Sequence, residues 1–522
     1  MGRRLKTTLR VGVVVAMVVV VAGVALVYAA SLRVGDALKG EIARRLPAAA
    51  SSLGLSIRFD DISLSPITGL SLKGVSLSAA GREGVGPTLA AEAVKVMYSV
   101  HLLRSPRITV DGVRLVRPSL KLAERTLAQA ASVKLLGKTL KGESGRRFAA
   151  KFQLSVEDLS IEYWRLSDRR MEGVDLTLDG MAMFDADEKL IDFDRLDIAF
   201  GGISFSSSGS VMFADGLVLD TKIRSGRMPI QSFLDAVPGG FIPILDGARV
   251  GGTIGIEIDF AMDSKKLSSL KFDPKIKVED FEILRAPRYV DIEKLKRPFE
   301  HRIKRDGKVV KEFLVGHPNY WFVPYKRFGE NAIKGVLTCE DGSFFRHDGF
   351  QVKHLRESLI QDIREERFAR GGSTITMQTA KNLFLSGRKD LSRKFQEMLI
   401  AYAMEQVLSK ERILEIYMNI IEWGPDIYGI GSASKHYFDK WPKDLTPVEA
   451  AFLGSIIPSA RRYHYMYKMG FVSDQWETYL ALIVSKMGVT GEAYDEILSF
   501  QPEFGWVRKE REAKEISPRD DQ

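Results

Sequence analysis

The sequence predicts an α+β multidomain protein: an N-terminal transmembrane helix, then a β-rich domain, then a mainly α domain. Three observations predict it. Val11 to Leu32 is a run of 22 residues without a charge. From about 33 to 285, apolar and polar residues alternate with period two, as in strands with one buried face. From about 290 to 490, apolar residues recur at helical spacing. At 522 residues the chain also exceeds what one ordinary core supports.

The first element is the anchor. The segment 1–10, "MGRRLKTTLR", holds Arg3, Arg4, Lys6 and Arg10 and no acid. Residues 11–32 are long enough to span a bilayer, and the basic flank sets the cytoplasmic side. A signal peptide is the competing reading, with "YAAS" as the cleavage region, but its apolar core is usually only about 7–15 residues. The expectation is a single-pass membrane protein with everything after Arg33 on the side away from the cytoplasm. The net charge of +9 suits work near anionic lipid or phosphate. With one cysteine, Cys339, and seven histidines, neither an internal disulfide nor a common structural zinc site is expected.

The second element, 33–286, opens on a short amphipathic helix near Asp36–Leu46. Strand-like stretches follow: "ISLSPITGLSLKGVSLS", "VRLVRPSLKL", "LSVEDLSIEY", "VDLTLDGMAMF", "GISFSSSGSVMF", "TIGIEIDFAM" and "PKIKVEDFEI". Gly, Pro and Asp punctuate them as turns or bulges. "QSFLDAVPGGFIPIL" reads as a helix and then a loop. The boundary falls between Leu284 and Phe313, in the basic stretch "EKLKRPFEHRIKRDGK".

The third element, 287–500, carries the chemistry, and a charged tail, 501–522, reads as loose. "CEDGSFFRHDGF", Cys339–Phe350, sets an acidic pair beside aromatics and a histidine. A cleft uses all of these, with aromatics keeping water from a proton-transferring carboxylate. In "RGGSTITMQTAKNLF", Ser373 is the expected N-cap. Thr374, Gln378 and Lys381/Asn382 then share one helix face, with Ile375, Leu383 and Phe384 turned to the core. In "DLSRKFQEMLIAYAMEQVL", Arg393 and Glu397 stack one turn apart, and Leu391, Phe395, Met398 and Tyr402 form the buried stripe. "SKERILEIYMNIIEWG" turns Ile413, Leu414, Ile416, Tyr417 and Ile420 inward. Taken singly, each polar group is an ordinary solvated helix face or surface ion pair.

Two resemblances add to this reading. The anchor, the short helix and the patterns "ISLSPITGLSLKGVSL" and "ITVDGVRLVRPSLKL" resemble the AsmA-like membrane-anchored periplasmic proteins. That implies a long curved sheet, as a lipid-holding surface or as a spacer or docking module. From about Gly335 to Tyr463, the ordered elements "ED..F..H.G", "GGSTIT.Q..KN", "RK..E" and "K.RILE.Y.N" resemble glycosyltransferase family 51. This is the peptidoglycan glycosyltransferase domain of class A penicillin-binding proteins and monofunctional transglycosylases. The resemblance implies a lysozyme-like helical domain that polymerises lipid II against the membrane.

It also implies roles. Glu340 is the catalytic base and Glu397 the second catalytic carboxylate, orienting Arg393, assisting the pyrophosphate or holding a divalent metal, Mg or Mn. Asp341, Phe344, His347, Ser373, Thr374, Gln378, Lys381, Asn382, Arg393 and Lys394 bind substrate, Asp341 and His347 chiefly as braces. The implied partners are lipid II, the growing glycan strand, membrane lipids and a separate transpeptidase; no nucleic acid is implied. Met377 stands where the family has glutamine. "ETYLALIVSKM" lacks the family's arginine, and "RRYHYMYKMG" replaces its Tyr-Asn-Pro run. "SASK", Ser432–Lys435, spells a penicillin-binding nucleophile by coincidence, without the partner motifs. The alternatives are a lysozyme-like glycan hydrolase and an inactive glycosyltransferase-like module in a lipid-transport or scaffold protein.

Overall fold

A computed structural model describes residues 36–516, apart from 53, 66–68, 80–85, 102–106, 123–124, 145–146, 164–165, 214–215, 306, 354–355, 358–359, 362–371, 386–389 and 498. The expected anchor, 11–32, lies outside the described residues. Among those described, no helix is long and apolar enough to cross a membrane. The chain divides into two compact units. The first is Met1–Arg285 with Arg356–Arg370 and Lys389–Arg393. The second is Ala286–Leu355 with Gly371–Arg388 and Lys394–Gln522.

In the first unit, strands between Leu55 and Arg285 form one 16-stranded sheet whose neighbours pair antiparallel. Helix α1 (Asp36–Ser52) covers its beginning. Ile42, Leu46 and Ala50 recur every fourth residue, so they share one helix face. Ile42 and Leu46 pack on Leu70, Leu72, Val75, Val96 and Val113, and Ala50 on Leu55 and Leu77. A second core gathers where α2 (Ile230–Ala236) lays Ile230 against Ile254 and Ile256. Between these cores the alternation persists. In Leu190–Phe200, Phe193, Leu196, Ile198 and Phe200 are half-buried, whereas Asp192, Asp194, Arg195 and Asp197 are exposed. A bulge between Phe193 and Leu196 accounts for the break in phase.

The second unit opens on a β-hairpin, β1 (Phe299–Arg305) and β2 (Lys308–Val315), where strand character was not expected. Phe299 and His301 point inward and alternate with exposed Glu300 and Arg302, so the charges hide a period of two. The longer helices follow: α3 (Glu330–Glu340), α4 (Ile375–Phe384), α5 (Leu391–Val407, of which Leu391–Arg393 fall to the first unit), α6 (Lys410–Ile420), α7 (Ile430–Phe438), α8 (Pro447–Ile456), α9 (Ala460–Met469), α10 (Asp474–Lys486) and α11 (Gly505–Ile516).

On α6 the five inward residues are all buried. On α5 the stripe differs from the expected one. Ile400, Ala401 and Met404 are buried, Leu391 is exposed, and Phe395, Met398 and Tyr402 are half-buried. The tail is not loose as far as Ile516. Phe504 is fully buried and stacks on Phe438 at 5.9 Å, and Trp506 Nε1 donates to the Tyr467 carbonyl at 3.0 Å. Those aromatics anchor a segment rich in good helix formers.

α3 is seated by a close crossing with α8. A Cβ on Gly335 would meet the Ala450 carbonyl oxygen at 2.5 Å, and one on Gly454 would meet the Gly335 oxygen at 2.4 Å. Only glycine allows the two backbones this approach, and it fixes the end of α3, where Glu340 sits.

Candidate active site

Glu340 is the last residue of α3 and half-buried. Its Oε2 accepts from Gln378 Nε2 at 2.6 Å, and Tyr417 Oη donates to Gln378 Oε1 at 3.3 Å. Tyr417 is fully buried on α6. Burial raises Glu340 above the ordinary carboxylate range, and the Asp341 charge adds to that. The Gln378 bond, the Lys381 ammonium and the Tyr417 hydroxyl pull it partly back. Such a carboxylate is a stronger base than a solvated one. The neighbouring Cys339 thiol is pushed by burial up to about 12, so it is inert as a nucleophile.

Asp341 is the brace. Its side chain is fully buried, and it accepts from His347 Nε2 at 2.9 Å, Gln351 Nε2 at 2.8 Å and the Ile375 N–H at 3.1 Å. His347 Nδ1 accepts from the Gly349 N–H at 3.1 Å, so Nε2 carries the hydrogen. Gly349 has φ +92°, and a Cβ there would meet the Ala401 backbone at 3.0 Å. The turn therefore requires glycine against α5.

Phe344 does not wall the cleft. It is 1% exposed, beneath the Lys410 ammonium at 4.5 Å from its ring, whereas Phe345 is 45% exposed. Phe344 is a core plug rather than a surface that substrate touches.

The α4 N-cap is Thr374, not Ser373. Thr374 Oγ1 accepts from the Met377 N–H at 3.2 Å and donates to the Gly349 carbonyl. This ties the helix to the segment Cys339–Phe350. Ser373 Oγ instead accepts from Lys394 Nζ at 2.7 Å, and Lys394 also meets Glu397 Oε2 at 3.4 Å. Glu397 is buried on α5, one turn after Arg393. Lys381 is half-buried on α4 and Asn382 exposed.

Thus Glu340, Gln378, Tyr417 and Lys381 form one group, and Asp341 and His347 a second. Ser373, Lys394 and Glu397 form a third. α4 carries members of the first and, at its start, donates the Ile375 N–H to Asp341 of the second.

Four residues that sequence reasoning did not single out as site residues hold these groups: Gln351, Glu405, Lys410 and Tyr417. Lys410 Nζ donates to the His347 carbonyl at 2.6 Å and to Glu405 Oε1 at 2.8 Å, and Glu405 also accepts from Thr376. Lys410 and Tyr417 lie within the "K.RILE.Y.N" element, which was the available signal.

The donor set does not fit a divalent ion caged by protein alone. Among the described residues no group of three or more His, Cys, Asp or Glu could hold one. Glu397 Oε2 also faces the Lys394 ammonium.

A helical unit with a desolvated carboxylate at a helix end, amide-tethered and next to an ammonium, has the construction of an acid–base site. Comparison with known proteins agrees. Residues 306–487 match the transglycosylase family, and through them the chain belongs to it. Relatives named biosynthetic peptidoglycan transglycosylase include one from Nitrosomonas eutropha. It is 43% identical over 142 residues, 27% of this chain and 58% of the relative. One from Aromatoleum aromaticum is 45% identical over 142 residues, 27% and 62%. One from Bordetella pertussis is 38% identical over 163 residues, 30% and 67%. The chain spans about three fifths of the length of the first relatives it matches.

Proposed function

We propose that the chain is a peptidoglycan glycosyltransferase that polymerises lipid II into β-1,4-linked glycan strands and releases polyprenyl pyrophosphate. The acceptor sugar's hydroxyl gives its proton to the Glu340 carboxylate as its oxygen attacks the donor's anomeric carbon. The bond from that carbon to the pyrophosphate oxygen breaks, and the leaving group keeps the electron pair. Attack opposite the leaving group inverts an α-linked donor to a β-linked product. Lys381 and Arg393 steady the charge on the leaving diphosphate. Lys394, held by Ser373 and Glu397, adds a third cation. A divalent metal, if used, would be held mainly by substrate oxygens with Glu397; no step here depends on it.

The single observation that carries this reading is Glu340: a half-buried carboxylate raised by burial, tethered by Gln378 and within the influence of Lys381. Its setting supports the chemistry that the relatives' names suggest. We place the enzyme as a single-pass inner-membrane protein with its bulk in the periplasm. The β-rich unit then serves as an AsmA-like module whose half-buried apolar face presents lipid substrate or docks a partner, such as a separate transpeptidase.

The test is lipid II polymerisation by the purified chain in detergent, beside a Glu340→Gln variant, with finished glycan as a second substrate. Polymer from wild type and none from the variant is expected. Cleavage of finished glycan without polymerisation would instead make the protein a hydrolase, and equal behaviour of both proteins would make Glu340 irrelevant.

A further inference from the structure

Beside the Glu340 site, α9 and α10 bring three aromatic rings together. Tyr463 and Trp476 lie 4.7 Å apart between centroids, and Trp476 and Tyr479 5.8 Å. The rings are tilted at 56° and 82°, so they form a stepped surface rather than a flat stack. Tyr463 and Trp476 are half-buried, and Tyr479 is 44% exposed.

α10 is fixed by Leu480, Ile483 and Val484, all buried, and it packs against α3 and α8. α3 is the helix that ends in Glu340, so the rings on α10 stand on a helix packed against the one that carries the carboxylate. The Tyr479 hydroxyl registers that closeness. Burial raises it first, and the Cys339 and Glu340 charges raise it further. This is also the segment, "ETYLALIVSKM", in which the chain departs from the family resemblance by lacking an arginine.

We propose that Tyr463, Trp476 and Tyr479 form a saccharide-stacking wall at the lip of the Glu340 site, taking an N-acetylated pyranose ring of the glycan. The inference rests on the glycosyl-transfer reading above. A pyranose presents an apolar C–H face rimmed by hydroxyls. The tyrosines offer the complement, an apolar ring with a polar edge, and Trp476, whose Nε1 is buried, adds ring surface alone. Acyl chains would call for aliphatic surface instead; of the large exposed apolar residues on α9, α10 and their link, Tyr465, Phe471 and Tyr479 are aromatic, and Met469 and Leu482 are not. Stacking contacts, unlike an arginine's charge, are not screened by salt.

The test uses the full chain in detergent with two readouts. One is titration with soluble N-acetylglucosamine tetramer, and the other is lipid II polymerisation kinetics. Tyr479→Ala is expected to weaken tetramer binding and raise KM by roughly 3- to 10-fold. The effect falls on KM rather than kcat and persists at high salt. Tyr479→Phe, which keeps the ring, restores most of the affinity. Tyr320→Ala, at an exposed aromatic outside this row, serves as the control.

Tetramer affinity unchanged in both Tyr479→Ala and Tyr463→Ala overturns the wall, as does failure of wild type to bind the tetramer. Wild type that binds tetramer through Tyr479 but never polymerises keeps the wall and rejects the glycosyl-transfer reading. Polymerisation indifferent to Tyr479 does the reverse.

Discussion

Replacing Asp341 should unfold the second unit in steps that follow its bonding. The carboxylate has no solvent exposure and receives three donors, from His347, Gln351 and the Ile375 backbone. Each buried donor left without an acceptor costs about 1–3 kcal/mol. Asparagine keeps one acceptor oxygen, and Gln351 can turn its amide to meet the new NH2 group. Asp341→Asn should therefore cost about 1–2 kcal/mol. Alanine orphans all three donors and leaves a void, for roughly 3–5 kcal/mol. In a unit of this size 1 kcal/mol moves the melting temperature by about 2–4 °C. Asp341→Ala should thus melt on the order of 10 °C below wild type, and Asp341→Asn about 2–8 °C below it. Five of the six tryptophans lie after residue 320, so tryptophan fluorescence during thermal denaturation reads the right unit. If Asp341→Ala melts within about 2 °C of wild type, or if the two variants coincide, the brace assignment is wrong.

Further outcomes follow from the same geometry. Glu340→Gln should cut polymerisation by about 10²–10⁴-fold yet leave the fold at least as stable at neutral pH. Because burial raises Glu340, the native chain holds that proton more tightly than the unfolded chain does. Its contribution to stability is full below the unfolded pKa and is lost as pH rises through the folded value; urea titration at two pH values checks this. Gln378→Leu removes a bond that lowers Glu340, so the acid limb of the pH–rate profile should move to higher pH. A shift to lower pH would contradict the tether. Lys410→Met strands the Glu405 carboxylate, whose side chain is 4% exposed, and should cost roughly 3–5 kcal/mol, read by chemical denaturation.

Much of this architecture was legible because periodicity reports burial directly. The strands between 55 and 285 and the inward face of α6 follow from spacing alone. The hairpin at 299–315 was hidden because His301 takes an apolar position among charges, and charge is what the eye reads there. α11 was hidden because two aromatics, Phe504 and Trp506, anchor an otherwise charged segment. At the site, the grouping of Glu340 with Gln378 and Lys381 was foreseeable from ordered motifs. The direction of Phe344 was not, because a phenylalanine beside a catalytic carboxylate can line the cleft or plug the floor with the same spelling. The choice of cap between Ser373 and Thr374 was likewise settled at a distance, by the Gly349 carbonyl and the Lys394 ammonium. Tyr417 showed as an inward core residue, and its hydroxyl's bond to Gln378 has no local signature.

The contact at Gly335 and Gly454 has a mechanical consequence. Two main chains meeting without side chains between them leave nothing compressible at the joint. Thermal motion there moves both helices as one strut, and Glu340 at the end of α3 moves with them. Room for the bulky product of the proposed reaction must then come from the other side of the Glu340 site, while this side acts as the anvil.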